Sequence, residues 1–148
     1  MRLSARLHDD HPHAPYPALY VDDSSLQIVI AELTQQPDIS ILVPAHSWLH
    51  SEVELEKAWD RLLGFAGTQT MLVPLLVCPD DMDFGCEVVV VEQHSTESHI
   101  SWSRMGYAQD REISQVNWLP CSRPLCFSRE NFTGALSDYM ELCRWPPY

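Results

Sequence analysis

The chain has 148 residues, of which 45% are hydrophobic and 20% charged, which is typical of one globular domain and not of a disordered chain. We therefore expect a single domain over residues 1–148. Nine Lys and Arg residues face 21 Asp and Glu residues, so the formal net charge is −12. Binding to nucleic acid or to an anionic membrane surface needs neutralising cations, so this balance argues against both as partners.

The negative charge is concentrated in the first two-thirds of the chain. Residues 7–56 contain nine acids and no Lys or Arg, and residues 62–103 contain six acids and again neither. After residue 100, five acids are balanced by five arginines. An anionic surface attracts a basic partner and speeds encounter with it. Acidic charge also keeps a protein in solution, and this simpler explanation stays open.

The sequence predicts a cytoplasmic protein. No apolar run reaches the roughly 20 residues that span a membrane, and the N-terminal residues lack the apolar core of a signal peptide. The five cysteines are odd in number and irregular in spacing, as expected for free thiols in a reducing compartment.

The first half of the chain predicts an arm, two helices and a strand. Residues 1–21 are rich in proline and histidine, and we expect an extended arm there. Apolar residues at helical spacing over 26–33 predict a helix, with its N-cap in residues 22–24. The β-branched run at 39–43 predicts a strand that Pro44 ends. Ser51 and Glu54 match the capping box of a second helix.

The second half predicts an antiparallel meander followed by a helix. Residues 70–77 form an apolar run in which Pro74 indicates an edge position or a bulge. Four valines at 88–91 predict a central strand covered on both faces. Residues 100–105 alternate as a strand should, 113–118 suggest another, and Ser128 caps a final helix. The fold class is therefore α+β, with an antiparallel sheet of about four to five strands (a meander within 70–119) and about three helices.

The histidines offer two weak candidates for a metal site. His8, His11 and His13 lie in the proline-rich arm, which lacks the held geometry that a dedicated site needs. His46 and His50 are four residues apart, as zinc ligands on one helix can be, but both precede the predicted cap at Ser51. An ordinary polar loop explains this pair better, and we predict no metal or cofactor.

Asp80, Asp81, Asp83 and Glu87 form the densest charged cluster. Carboxylates at this spacing can hold Mg²⁺ or Ca²⁺, although the glycine and closing glutamate of an EF-hand loop are misplaced. A solvated loop between strands is the simpler interpretation. A third interpretation is a contact patch for a basic partner, and these four residues are our predicted partner-binding site.

One pattern runs through the second half of the chain, in residues 80–92, 100–106, 116–119, 124–127 and 131–132. It consists of a strand, a Trp-centred strand, a Trp-Leu strand and a Phe-led C-terminal helix, over about 65–70 residues. This pattern resembles the bacterial polymorphic-toxin immunity proteins, including those of contact-dependent inhibition. The resemblance implies a fold and a role in toxin neutralisation, and no contact residue is carried over.

The sequence contains no Gly-rich phosphate loop and no Gly-x-Ser-x-Gly elbow, and we predict no catalytic residue. We expect a binding protein that occludes a basic partner, specifically an immunity protein for a toxin such as a nuclease. One alternative is a small metal-dependent enzyme using Asp80, Asp81 and Asp83, or His46 and His50. A second alternative is an adaptor or chaperone for a secreted effector.

Overall fold

The computed structural model describes residues 1–9 and 13–147. The α-helices in these ranges are α1 (Leu26–Thr34), α2 (Ala45–Trp48), α3 (Glu52–Leu62) and α4 (Arg129–Cys143). The strands there are β1 (Leu3–His8), β2 (Tyr16–Val21), β3 (Ser24–Ser25), β4 (Val43–Pro44), β5 (Gln69–Val77), β6 (Val88–Ser95), β7 (His99–Ala108), β8 (Val116–Leu119) and β9 (Leu125–Ser128). None of the described helices has the length and apolar character needed to cross a membrane.

The predicted α+β class is confirmed. The large sheet is antiparallel, in the order β4-β5-β6-β7-β8, and β9 also pairs with β7. β6 lies in its centre, and its four valines at 88–91 are buried, as their unbroken apolar run predicts. Val89 and Val91 pack into one hydrophobic cluster and Val88 and Val90 into another, so the sheet is covered on both faces.

Pro74 coincides with a bulge, one of the two possibilities that its place in β5 predicts. The register with β6 shifts between Pro74 and Leu76, so the residue that cannot donate to the ladder sits at the irregularity. β5 is flanked by β4 and β6, but β4 has only two residues.

Two short strands share one side of β7. Residues 105–108 pair with β8, and residues 99–102 pair with β9. β9 was not predicted, because its four residues follow Pro124 and are too few to show a clear alternation. Its inward side chains, Leu125 and Phe127, are buried while Cys126 and Ser128 are exposed.

Residues 1–21 form a hairpin where we expected an extended arm. β1 pairs antiparallel with β2 from Leu3 opposite Val21 to His8 opposite Tyr16. β3 pairs only with the last two residues of β2, so Pro17 lies where β2 has a single neighbour and costs little. Both strands pack against α4, where Asn131 binds the N–H and the carbonyl of Leu3 at 2.8 and 2.9 Å. Asp10, His11 and Pro12 lie outside the described residues.

The strand predicted at 39–43 is wrong. Residues Pro37–Ile41 form a 3₁₀ helix, and β4 begins only at Val43. Pro37 fixes φ for the first helical turn, and the Ser40 hydroxyl donates to the Pro37 carbonyl at 2.6 Å. These local interactions outweigh the β preference of Ile39 and Ile41.

The three longer helices match the predicted segments. Ser51 and Ser128 are the N-caps of α3 and α4, and each hydroxyl accepts from the backbone N–H three residues later. α1 begins later than predicted, because Ser24 and Ser25 pair with β2 and Ser25 takes the N-cap position. The helices cover the sheet and bury Trp59, Phe132 and Tyr139.

Candidate functional site

An open cleft of about 380 Å³ lies between the N-terminus of α3 and the loop that joins β5 to β6. We call it the acidic cleft, because three of its lining side chains are carboxylates. It is lined by His50, Ser51, Val53, Glu54, Asp81, Met82, Asp83 and Arg111.

Glu54 connects the two walls of the acidic cleft. The Ser51 hydroxyl accepts from the Glu54 N–H at 3.4 Å, as the capping box predicts. The Glu54 carboxylate instead reaches across to the loop and accepts from the N–H of Phe84 at 3.3 Å. Arg111 approaches the same carboxylate at 3.5 Å. The helix start is thereby fastened to the loop.

Asp83 is held within its own loop. Its carboxylate accepts from the Gly85 N–H at 2.7 Å and lies 3.9 Å from Arg111. A β-carbon at Gly85 would collide with the Arg111 guanidinium, so glycine at this position allows the guanidinium to lie against the loop backbone. Asp83 is therefore partly neutralised, and it contributes less negative potential than its position in the sequence suggests.

The other predicted contact residues, Asp80, Asp81 and Glu87, are exposed. Asp80 and Asp81 have no basic side chain within salt-bridge distance among the described residues, and Asp81 lines the acidic cleft. Glu87 lies at the start of β6 near Tyr107. Burial first, and then the charges of Glu87 and Asp38, raise the pKa of that tyrosine.

The exposed side of α3 extends the acidic cleft, and sequence analysis missed it. Val53 is 75% exposed and lines both the cleft and a neighbouring groove that contains Glu56 and Asp60. The sequence could have predicted this exposed acidic side, because Glu56 and Asp60 lie four residues apart and away from the apolar side of the predicted helix. We call Val53, Glu56, Asp60 and Asp81, together with Asp80, the exposed neighbour of Asp81 in the loop, the acidic face.

Arg61 also borders this groove, but its guanidinium points inward. It donates to the carbonyls of Ile113, Glu112 and Leu72 at 2.7, 2.8 and 3.2 Å. Burial of the guanidinium lowers its pKa. Lys57 lines the same groove. Its ammonium group has no hydrogen-bond or salt-bridge partner among the described residues.

Cys78, Asp81 and Cys86 form a second feature of the same loop. Their two sulfurs and a carboxylate oxygen all lie within 4.8 Å of one another. The hydrogen bond with Asp81, first among several causes, raises the pKa of the Cys86 thiol to about 11. The Cys86 thiol is therefore protonated at neutral pH.

The structure separates the predicted histidine pair. His46 lies in α2 and is buried, and its Nε2 donates to the Ala58 carbonyl at 2.9 Å. Burial lowers its pKa to about 4, so it is neutral at pH 7. Its ring packs against Trp59, whereas His50 is exposed at the cleft. The metal-capable cluster found in the described residues contains neither histidine.

The histidines of the N-terminal hairpin have aromatic neighbours. His8 hydrogen-bonds the Tyr20 hydroxyl, and the His13 ring lies 5.0 Å from that of Trp48. His11 falls outside the described residues.

The arginines of the C-terminal third act elsewhere. Arg104 pairs with Glu92 at 2.6 Å and stacks over the Trp118 ring, and its hydrogen bond lowers the pKa of Glu92. Arg129 donates to the carbonyls of Thr96 and Gly67. The cations beside the acidic face, among the described residues, are therefore Arg111, Lys57 and the inward-pointing Arg61.

Fold and site together define an α+β protein with an acidic cleft beside a pair of thiols. Comparison with protein-family models, with curated proteins and with solved structures finds no match.

Proposed function

We propose that the protein binds a basic protein partner through its acidic face and occludes that partner's functional surface. The specific case we favour is immunity to a toxin such as a nuclease. In that case carboxylates of this chain would cover the cationic groups that otherwise hold nucleic acid.

One observation carries the proposal: an exposed apolar residue lies beside carboxylates that have no basic side chain within salt-bridge distance among the described residues. Val53 is 75% exposed, Asp81 lies across the acidic cleft from it, and Glu56 and Asp60 lie beside it on α3. An apolar contact within a charged rim is the usual arrangement of a protein interface, because the centre excludes water and the rim selects the partner. Of the predicted contact residues, Asp80 and Asp81 belong to the acidic face, and Asp83 and Glu87 of the same loop extend the proposed contact beyond it. Asp83 is the weakest of these because of Arg111.

Occlusion requires no reactive group from this chain. A basic enzyme that binds polyanions presents a cationic surface, and a complementary anionic surface competes for it. Long-range attraction would speed association, so both the rate and the affinity should fall as salt rises.

The test is charge reversal on the acidic face. We would measure affinity for the products of the genes adjacent to its own by calorimetry at low and high NaCl. The variant carries Glu56→Lys, Asp60→Lys and Asp80→Lys. It should bind the partner about tenfold more weakly or worse, a loss of about 1.4 kcal/mol, with a shallower dependence on salt.

A matched control separates a local contact from overall charge. Reversal of Glu97, Glu130 and Asp138 changes the net charge equally, and all three are exposed. Glu97 lies at the opposite end of β6 from the acidic loop, and the other two lie on α4. This variant should keep wild-type affinity. Equal losses in both variants, or no loss in either, would refute the proposed surface.

A further inference from the structure

The loop between β5 and β6 brings two cysteines together at its base. Val77 pairs with Val88 at the end of the ladder, so the chain enters and leaves the loop at neighbouring points. Cys78 directly follows this pair and Cys86 lies two residues before it, and their sulfurs lie within 4.8 Å of each other. The chain between them folds back, because the Met82 N–H donates to the Cys78 carbonyl at 2.9 Å and Met82 takes a left-handed conformation. This turn places the Asp81 carboxylate over the thiols.

The three side chains have the chemistry of a thiophilic cation site. Zn²⁺ binds thiolate sulfur at about 2.3 Å and carboxylate oxygen at about 2.0–2.2 Å. Tetrahedral ligands at these lengths lie about 3.5–3.8 Å apart. The separations here, all within 4.8 Å, exceed this by about 1 Å at most, a distance that side-chain rotation can close.

We propose that Cys78, Asp81 and Cys86 bind Zn²⁺ or a similar thiophilic divalent cation, with a fourth position open to water. Two of the side chains are half-buried and Asp81 is exposed, so the cation can enter from solvent. On binding, each thiol releases one proton and each sulfur forms one bond to the metal. The two charges lost as protons equal the charge gained, so the net charge of the protein is unchanged.

The ligand set excludes the harder cations considered from the sequence. Ca²⁺ and Mg²⁺ take oxygen ligands, at least six of them. Here the Asp81 carboxylate lies beside the two cysteine sulfurs. The Asp83 carboxylate accepts from the Gly85 N–H and lies near the Arg111 guanidinium. Sulfur donors instead favour Zn²⁺ and its analogues.

Co²⁺ is the probe, because its bonds to thiolate give a charge-transfer absorption that zinc lacks. The tag-free, fully reduced protein should bind one Co²⁺ per chain with this absorption, and Zn²⁺ should displace it. Cys78→Ser with Cys86→Ser should abolish the band. Asp81→Asn should keep a band but weaken Co²⁺ affinity about tenfold or more, since losing even an outer partner of a metal ligand costs 10–100-fold.

Cys121→Ser with Cys126→Ser is the matched control and should behave as wild type. Thermal unfolding supplies a second measurement, since Zn²⁺ should raise the Tm of wild type and of this control but not of Cys78→Ser with Cys86→Ser. The proposal is overturned if the reduced wild-type protein gives no thiolate band. It is equally overturned if the band survives loss of both Cys78 and Cys86. Neither result bears on charge reversal at Glu56, Asp60 and Asp80.

Discussion

His46 shows how one buried side chain makes stability depend on pH. Its imidazole is enclosed by Trp59 and Tyr139, and it donates to the Ala58 carbonyl. Folding therefore holds the ring in its neutral form. The pKa falls from 6.5 to about 4 because burial disfavours the charged imidazolium.

The sign of the effect follows from proton binding. Between pH 6.5 and about 4 the unfolded chain binds a proton at His46 that the folded protein does not. Acidification through this window should therefore remove stability, about 3 kcal/mol in total if each factor of ten in proton affinity is worth about 1.4 kcal/mol. His46→Gln keeps an N–H donor for Ala58 and cannot titrate.

The measurement is the free energy of unfolding in urea at pH 7 and at pH 5. Wild type and the control His50→Gln, which changes an exposed histidine, should lose stability in parallel. His46→Gln should lose less. A slope in His46→Gln as steep as that of wild type would contradict this account.

Two glycines test how tightly the elements pack. A β-carbon at Gly106 in β7 would lie 2.8 Å from the Trp118 Cα and would also collide with the Asn117 carbonyl across the β7–β8 pair. Neither backbone atom can move without breaking the ladder. Gly106→Ala should therefore destabilise the protein by about 1–3 kcal/mol, measured as the free energy of unfolding in urea.

Gly134→Ala is the matched substitution in α4, where a β-carbon meets no atom of the described residues within 4 Å. Alanine is the better helix former, so this variant should gain about 0.5–1 kcal/mol. Equal effects at the two positions would show that the close approach at Gly106 is absent in solution.

The elements that sequence analysis found are those with long and regular signals. The caps at Ser51 and Ser128 and the valine run at 88–91 each rest on several residues that agree. β9 and the hairpin of residues 1–21 depend on partners that are distant in sequence, namely β7 and α4. No local pattern reveals such a partner, and proline in β2 argued against a strand.

The acidic cleft could be predicted only in part. The loop carboxylates were evident from their density, but the place of Glu56 and Asp60 beside them depends on how α3 packs on the sheet. The meeting of Cys78, Asp81 and Cys86 depends on the register of β5 with β6 and on the turn at Met82. Spacing alone gives neither.

At the scale of the whole molecule, the excess of acids should make stability increase with salt. In the described residues, the carboxylates within salt-bridge distance of a basic side chain are those of Glu54, Asp83 and Glu92. Repulsion among the remaining acids opposes folding. Raising NaCl from about 0.01 M to about 0.15 M shortens the Debye length from about 30 to about 8 Å and screens this repulsion.

Calorimetry should then show a rise in Tm of about 2–4 °C for each 1 kcal/mol of repulsion removed. The charge-reversed variant of the acidic face should respond less to salt than wild type, because it carries fewer net charges. A fall in Tm with NaCl would mean that ion pairs, and not repulsion, dominate the electrostatic contribution to folding.

Glu54 sits on α3 and yet holds the N–H of Phe84 in the loop that carries the two thiols. A cation bound at the two thiols would contact this loop, and a protein partner bound at the acidic face would contact α3. Because Glu54 joins the loop to α3, both ligands would act on the same segment. Thermodynamic linkage makes any such influence mutual, so whatever factor the metal adds to the affinity for the partner, the partner returns to the metal. Under the two proposals taken together, a change in free zinc concentration would change the affinity for the partner.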